Sequence, residues 1–549
     1  MVDYQPLDLS ALCNAGPEVL GEGSQAPLGR QSFRGLPFLV GSSTVEKCFV
    51  LLGSTPNAAE PPVVVPVEGT ARTVIVAHAR LDSRVEQGDP AGRVVATYVF
   101  RYQDGEAVAV PIRERFEVGA YPLPWGQLPL LAVPDVTDRM QPRYEGNFGN
   151  TGYRQTEAEQ AWPRAYYLWA WRNPRPEAPL AAVELRSVGE RLLVAGITLG
   201  HLDEDPLGRA TAREVKITLP KAEDAKKRFD LEVEVDRGVA TYAFALPAED
   251  TEAFLAAPFT GWGEEQNWQS SPAYASVAAI PSATVTVKQA GEELGSVRWG
   301  DLEKEGVAEP TERLRLEVVD TGRNWVHTTV LDEDTGRPVP CRIHFRSAQG
   351  VPYAPHGHPE HVNSNLDTWH VDIGGDVRLG QISYAYINGK CQGWLPRGDV
   401  VVDVARGYEY EPIRTRVHIK PGQRELTLSL KRWANPNGDR YFAGDTHVHF
   451  VSTQGAHLEA AAEGVSIVNL LQSQWGHLYT STEEFTGRPS VSPDGQTIVY
   501  ATQENRQHML GHLTLLGVKE PIMPWCSDGP SEAEMGGNME TTLSHWADA

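Results

Sequence analysis

The chain has 549 residues, of which 41% are hydrophobic and 8% aromatic, and its formal net charge is −23. At roughly 100–200 residues per domain, this length predicts three to five folded domains. The charge disfavours nucleic acid and anionic membrane surfaces as partners, since both attract basic patches, and no apolar run approaches the ~20 residues of a membrane-spanning helix.

The N-terminus and the cysteines favour a cytoplasmic protein. Residues 1–10 contain no basic stretch followed by an apolar one, so no signal peptide is visible. Cys341 and Cys391 could pair within one domain, but buried free thiols are the favoured interpretation. The cysteines show neither a disulfide framework nor a Cys-x-x-Cys motif, and they are widely spaced: Cys13, Cys48, Cys341, Cys391 and Cys526.

Residues 1–205 form the first predicted domain, an N-terminal β-sandwich. Its strands are expected between Gly and Pro turns at 62–67, 73–78, 94–102, 181–185 and 192–198. The segment 165–171 is dense in aromatics: Tyr166, Tyr167, Trp169 and Trp171. Such a stripe could stack on a sugar ring, but aromatics with period two usually belong to a packed core, which is the favoured interpretation.

Two further β domains are predicted, at 206–317 and 318–433. Strands of the second domain are expected at 214–219, 231–235, 239–245, 282–288 and 314–319. The third domain shows the clearest alternation of apolar and polar residues between Pro/Gly turns, which is typical of half-buried antiparallel strands. Its strands are expected at 326–331, 341–345, 400–404, 417–419 and 426–430.

The chain changes character after the turn-rich segment 435–438, and residues 434–549 form the fourth predicted domain. Residues 455–463 are expected to form a helix, and the apolar run 465–471 a buried strand. Residues 498–501 predict a further strand. Strand, helix and strand in succession predict that an α/β domain begins here.

Two imidazoles stand one residue apart in the segment Gly444-Asp445-Thr446-His447-Val448-His449. Residues i and i+2 of a strand share a face, so both imidazoles could hold one divalent ion. Asp445, on the same face, could ligate or orient a histidine. Glu504 at a later strand end could bridge two cations, and His512 on the next strand could cap one. The candidate metal ligands are therefore His447, His449, Glu504 and His512.

The order His-x-His, then Glu, then His-Leu-x-Leu-Leu-Gly resembles the polymerase and histidinol phosphatase (PHP) superfamily of metal-dependent hydrolases. The chain is more closely similar to the multidomain metallohydrolases of the CehA/McbA type, from about residue 318 onward, including 392–398, 469–476 and 524–530. The resemblance implies a carboxypeptidase-regulatory-like β-sandwich at 318–433. It also implies a distorted β/α barrel that binds two or three Zn, Mn or Fe ions at the carboxyl ends of its strands, with His447, His449, Glu504 and His512 as the matching ligands.

Two features depart from the family pattern. Many members carry Thr-Asp-His after the second strand, whereas here no histidine follows until His477, so Gln474 or His477 is expected near the site. A barrel of this kind needs roughly 200–250 residues, and the family's later ligands have no counterpart before Ala549. We therefore expect the chain to be C-terminally incomplete, with the metal weakly held.

Other polar residues are weaker candidates. Asp528 could reach the barrel mouth, although a structural turn is the default. Asp445 either orients a metal-binding histidine or hydrogen-bonds to a turn. His508 could ligate on a helical turn, but a surface position is favoured. The loop 355–361 holds His356, His358 and His361, which could bind a transition metal adventitiously. Its Pro and Gly residues argue against a preformed site.

Three functions are compatible with this sequence, which we interpret as multidomain and mainly β: tandem β-sandwiches followed by the first part of an α/β PHP-like distorted barrel. The leading hypothesis is a metal-dependent hydrolase that cleaves an ester, phosphoester, amide or carbamate in a small-molecule or glycan-like substrate. The alternative is a carbohydrate-binding or cell-envelope interaction protein with a degenerate or truncated hydrolase domain. The third is a scaffold whose β modules drive homo-oligomerisation.

Overall fold

The computed structural model is mainly β, with strands grouped into many separate sheets, and the prediction of a multidomain chain of β-sandwiches is confirmed. Short 3₁₀ turns occur at Ser10–Leu12, Pro17–Leu20, Val85–Gln87 and Thr482–Glu484. No helix among the described residues combines the length and apolar character needed to cross a bilayer. The structure describes residues 2–21, 25–41, 46–53, 60–122, 128–137, 139–140, 158–159, 161–208, 211–257, 267–358, 376–379, 382–449, 451–472, 474–475, 478–479, 482–507, 511–522 and 527–528.

Two facing sheets build the N-terminal part of the chain, in the strand orders β1-β14-β6-β12-β9, with β4 beside β14, and β5-β13-β7-β8. The pairs β2-β3 and β10-β11 lie outside them. The strands are β1 Tyr4–Pro6, β2 Gly29–Phe33, β3 Leu36–Val40, β4 Val50–Leu52, β5 Val63–Gly69, β6 Thr73–Arg80, β7 Val94–Tyr102, β8 Ala107–Arg113, β9 Val133–Pro134, β10 Arg139–Met140, β11 Ala158–Glu159, β12 Tyr167–Arg172, β13 Leu180–Ser187 and β14 Leu192–Gly200.

The aromatic stripe of β12 is buried inside this sandwich. Tyr166, Tyr167, Trp169 and Trp171 all belong to its core clusters. Trp171 stacks on Phe100 of β7 in the opposite sheet, with ring centroids 3.6 Å apart. The stripe therefore joins the two sheets, and its interpretation as core is confirmed.

The second group of sheets has the orders β17-β19-β15-β23-β22, with β18 beside β19, and β16-β20-β21. The predicted strand 239–245 is broken in two. One extra residue is inserted opposite β19, where the Thr241 hydroxyl accepts a hydrogen bond from the Ser276 amide at 2.9 Å. The elements are β15 Arg213–Thr218, α1 Ala222–Ala225, β16 Leu231–Val235, β17 Gly238–Ala240, β18 Phe244–Ala245, α2 Thr251–Ala256, β19 Ala273–Ala279, β20 Thr284–Gln289, β21 Glu292–Arg298, α3 Trp299–Glu305, β22 Val307–Thr311 and β23 Leu314–Val318.

The third group forms a sandwich of two sheets, β28-β24-β31 and β26-β27-β25-β29-β30. The strand at 400–404 was expected to be buried on one face only, but both of its faces are buried. Phe254 of α2 covers the outer face of this sheet, beside Val401 and Tyr384. The strands are β24 Arg323–Asp332, β25 Cys341–Ser347, β26 Asp376–Leu379, β27 Ile382–Ile387, β28 Lys390–Pro396, β29 Gly398–Ala405, β30 Ile413–Ile419 and β31 Glu425–Leu430.

The fourth group contains a sheet in the order β32-β33-β37-β36, with β38 beside β37, and a smaller sheet, β35-β34-β39. Ser452 caps its helix α4 by accepting a hydrogen bond from the Gly455 amide at 3.0 Å. The four domain boundaries themselves stay predictions. The elements are β32 Gly444–Val448, α4 Thr453–Glu463, β33 Ile467–Gln472, β34 Gln474–Trp475, β35 Leu478–Tyr479, β36 Ser490–Val491, β37 Ile498–Gln507, β38 Gly511–Leu515 and β39 Ser527–Asp528.

Candidate metal site

Three neighbouring parallel strands form the edge of the sheet at which His447, His449 and Glu504 lie. β32 and β37 both pair in parallel with β33, and α4 connects β32 to β33. A small core of Val451, Ala456, Ala460, Val468, Leu470 and Val499 holds the helix on this sheet. Because parallel strands present their carboxyl ends at the same edge, residues at the ends of β32, β33 and β37 meet there.

His447 and His449 lie at the carboxyl end of β32, where the strand is irregular. Between the paired residues Asp445–Val468 and Val448–Leu470, β32 has two residues where β33 has one, which is a β-bulge. The Asp445 carboxylate accepts a hydrogen bond from the His447 amide at 3.0 Å, so Asp445 stabilises this turn of the backbone. The simple alternation predicted for this strand is thus interrupted, yet the two imidazole centroids are 4.9 Å apart.

His449 is oriented by the neighbouring strand. Its Nδ1 lies 3.1 Å from the carbonyl oxygen of Leu471, near the end of β33. A carbonyl oxygen only accepts hydrogen bonds, so Nδ1 carries a proton and donates it. In a neutral imidazole the lone pair is then on Nε2, which lies 3.1 Å from Glu504 Oε2. Two acceptors at this distance attract each other only through a shared proton or a cation between them.

Glu504 is the centre of the site. Parallel pairing of β37 with β33 ends at Gln503, so Glu504 is the first residue beyond it. Its side chain is 0% exposed. Its Oε1 lies 3.6 Å from His447 Nε2 and 3.0 Å from His512 Nδ1. Among the described residues, no hydrogen bond of ordinary geometry reaches either oxygen of Glu504. Burying a carboxylate in this way is energetically unfavourable.

His512 joins the site from β38. Glu504 pairs with Thr514 in the antiparallel register, and His512 lies two residues from Thr514, so both side chains share one face. Burial raises the pKa of Glu504, but the electrostatic influence of His449, His512 and His447 outweighs it and the net shift is downward. The carboxylate is therefore held in its ionised, metal-binding form.

The structure thus brings three of the predicted ligands into one compact cluster, and the fourth, His512, adjoins it through Glu504. One nitrogen each of His447 and His449 and one oxygen of Glu504 lie within 4.8 Å of one another. His447 and His512 have side chains 54% and 42% exposed, whereas His449 is 14% exposed. The cluster is accordingly closed on the side of β33 and open to solvent on the side of His447 and His512.

The remaining candidates are placed only in part. The backbones of Gln474 and Asp528 lie in neighbouring strands, with Gln474 in register with Ser527, while their side chains lie outside the described residues. His477 and His508 also lie outside them. No second metal-binding cluster forms at His356 and His358 within the described part of the chain, and His361 lies beyond it.

Two supporting groups were not anticipated from the sequence. One is the Leu471 carbonyl, which no side-chain pattern could reveal. The other is Gln503, whose amide donates to the Ile522 carbonyl at 2.9 Å and accepts from the Ile522 amide at 2.7 Å. In the sequence, the run of four polar residues at 502–505 could have indicated Gln503. All four of these side chains are fully buried in the structure.

Comparisons with known proteins assign no family to this chain. No model of a protein family matches the sequence, and no curated protein matches it. Among solved structures, weak similarity is found to the group B streptococcus pilus 2b backbone protein (7% identity, 69% of this chain and 95% of that chain, TM-score 0.16) and to a streptococcal ancillary pilin (11%, 49% and 82%, 0.14). BcpA, the major pilin subunit of Bacillus cereus, is similar at 11% identity over 66% of this chain and 100% of its own, with a TM-score of 0.14. TM-scores this low carry no argument about fold or function.

Proposed function

We propose that the chain is a metal-dependent hydrolase whose ions are held by His447, His449, Glu504 and His512. The observation that carries the proposal is the buried Glu504 carboxylate, which faces three imidazole nitrogens at 3.0–3.6 Å without an ordinary hydrogen bond. A cation among these groups would satisfy both carboxylate oxygens and the ring lone pairs at once. The surrounding sheet would be the first part of a PHP-like distorted barrel.

The donor set fits a divalent transition metal. Imidazole and carboxylate together suit Zn, Mn or Fe, whereas Mg and Ca prefer oxygen ligands alone. One oxygen of Glu504 faces His449 and the other faces His447 and His512, so each oxygen could hold a cation together with a histidine. When bound, such ions lower the pKa of a water and polarise the bond under attack.

The protein groups would then position and orient the reactants. The Leu471 carbonyl fixes the tautomer of His449, and the exposed edges of His447 and His512 leave an open side for a substrate. An ester, phosphoester, amide or carbamate of a small molecule or glycan fits this chemistry equally well. The described cysteines are all free thiols, in agreement with our proposal of a reducing, cytoplasmic compartment.

Metal binding is the direct test. The purified chain, stripped with chelator, is titrated calorimetrically with Zn²⁺ and with Mn²⁺. We expect Glu504→Gln to weaken binding by about 100-fold or more, because it removes the only carboxylate of the described cluster. The matched control is His418→Ala, which removes an exposed imidazole paired with Asp399 at 2.8 Å on the third sandwich. It should leave metal affinity unchanged.

Hydrolysis is tested separately with p-nitrophenyl acetate, p-nitrophenyl phosphate, an anilide and an aryl carbamate. Turnover of one of them that chelator and Glu504→Gln both abolish would support the hydrolase. Metal binding without turnover of any of the four would contradict the hydrolase while leaving a metal site. Equal metal binding by the wild-type chain and Glu504→Gln would refute the site itself.

A further inference from the structure

The sheet β28-β24-β31 carries a pair of tryptophans on its outer face. Trp325 of β24 is directly in register with Trp394 of β28, and their rings meet edge to face, with centroids 5.3 Å apart and planes at 86°. Trp394 is 50% exposed. Trp325 Nε1 donates to the side-chain oxygen of Gln392 at 3.3 Å, which fixes its ring. The two indoles therefore form a rigid corner open to solvent.

A loop closes one side of this corner. The His356 amide donates to the backbone carbonyl of Gln392 at 2.7 Å, so the loop is attached to the edge of β28. Gly393 permits this approach, since a Cβ atom there would lie only 3.2 Å from the Ala354 carbonyl oxygen and 3.3 Å from the His356 nitrogen. The His356 ring lies 5.4 Å from that of Trp325. The result is a preformed cavity of about 120 Å³.

The charges around the cavity select a neutral ligand. The described residues that line it include no carboxylate that would attract a cation. The Arg323 guanidinium borders it, 5.7 Å from the centre of the Tyr353 ring. That guanidinium is already paired with Glu214. An anion would moreover meet the field of a chain with a net charge of −23.

A neutral ligand that fits two perpendicular indoles needs an apolar face and polar edges. The negative face of an indole attracts C–H groups polarised by neighbouring oxygens, and the imidazoles and backbone groups of the loop can hydrogen-bond hydroxyls. We propose that this cavity binds one pyranose ring of a neutral polysaccharide. Because a water-sized group needs roughly 10–15 Å³ on the same volume scale, the cavity has room for about ten such groups, the size of a single sugar ring.

The experiment uses the full chain and defined polysaccharides. Native gels containing hydroxyethylcellulose, soluble starch, laminarin, galactomannan or xylan measure retardation, and tryptophan fluorescence is titrated with the corresponding hexasaccharides. We expect at least one glycan to retard the chain and change its fluorescence. Trp394→Ala should weaken this binding by about tenfold or more, and Trp394→Phe should weaken it less.

Trp433→Ala is the matched control, because the Trp433 side chain is 66% exposed and does not line the cavity. The glycan affinity of this variant should equal that of the wild-type chain. The proposal is overturned if none of the glycans binds, if Trp394→Ala binds as tightly as the wild-type chain, or if Trp433→Ala loses as much affinity. A decaproline peptide that quenches the fluorescence while the sugars do not would identify a proline-rich peptide site instead. Circular dichroism of each variant confirms that it is folded.

Discussion

Glu463 attaches α4, the helix behind the candidate metal site, to the third sandwich. It is the last residue of α4, where a negative charge is unfavourable for the helix dipole. Its carboxylate accepts a hydrogen bond from the Tyr386 hydroxyl at 2.8 Å and lies 3.3 Å from Arg342 Nη1. Both partners are almost completely buried. Replacing Glu463 should therefore release α4, and with it the segment that follows His449.

The two substitutions Glu463→Ala and Glu463→Gln separate the contribution of the Tyr386 hydrogen bond from that of the Arg342 ion pair. Alanine leaves the buried Tyr386 hydroxyl without an acceptor, at a cost of ~1–3 kcal/mol, and removes a partly exposed ion pair worth ~1 kcal/mol. Removing the negative charge from the C-terminus of α4 stabilises the helix dipole and offsets ~0.3–1 kcal/mol of this loss. For alanine the net loss lies between about 1 and 4 kcal/mol, with a central value of about 2–3 kcal/mol. For glutamine, which keeps an acceptor for Tyr386, it is at most about 1 kcal/mol.

Hydrogen–deuterium exchange of the α4 amides measures this local opening. We expect exchange to accelerate roughly 30- to 150-fold in Glu463→Ala and less than about fivefold in Glu463→Gln, at 1.4 kcal/mol for each factor of ten. Glu425→Ala, on the exposed side of β31, is the control and should leave α4 unchanged. Equal exchange in the alanine and glutamine variants, or equal acceleration throughout the chain, would refute this account of how α4 is attached.

Three further predictions concern the β-sandwiches. Phe254→Leu should destabilise the third sandwich by about 2–4 kcal/mol in chemical denaturation, because the buried guanidiniums of Arg346 and Arg414 lie 3.9 and 3.8 Å from the Phe254 ring centre; a loss below about 1 kcal/mol would argue against these contacts. Trp171→Ala should cost about 3–5 kcal/mol, and an unchanged denaturation midpoint would show that the ring is not core. Burial lowers the pKa of His78 to about 4, so the unfolded chain binds more protons than the folded chain between pH 6.5 and 4. The free energy of unfolding should therefore fall by up to about 3 kcal/mol as the pH falls through that range. His78→Gln should flatten this dependence of stability on pH, and an unchanged dependence would contradict the prediction.

The sequence predicted most strands because burial on one face leaves a local period of two. Residues 94–102 and 231–235 were predicted with the bounds that the structure has. The predicted burial of strand residues was wrong where segments distant in the sequence cover a strand. Val401 lies on the outward side of its strand, yet it is buried because α2 of the preceding domain covers it. No local pattern contains that information, since the covering helix is more than a hundred residues away in the chain.

The candidate site was predictable as a set of residues but not as a geometry. His447 and His449 were expected to share a face of a regular strand, whereas a bulge lies between Asp445 and Val448. The strand bearing Glu504 was expected to end near residue 501, but antiparallel pairing with β38 extends it to Gln507. That extension places His512 diagonally beside Glu504, which sequence order alone could not establish.

We expect the candidate site to depend on contacts between α4 and the third sandwich. The core beneath α4 contains few buried residues, which is little for an independent domain. The helix gains support from the third sandwich, where Gly407 approaches the Glu463 carbonyl so closely that a Cβ atom would lie 2.3 Å from it, and Arg406 donates to the carbonyls of Pro340 and Ala461. We therefore expect residues 434–549 alone to show fast amide exchange in α4 and weakened Zn²⁺ binding, and residues 206–549 to match the full chain in both. Equal exchange protection and Zn²⁺ affinity in the excised segment would show that the sheet β32-β33-β37 forms the site without its neighbour.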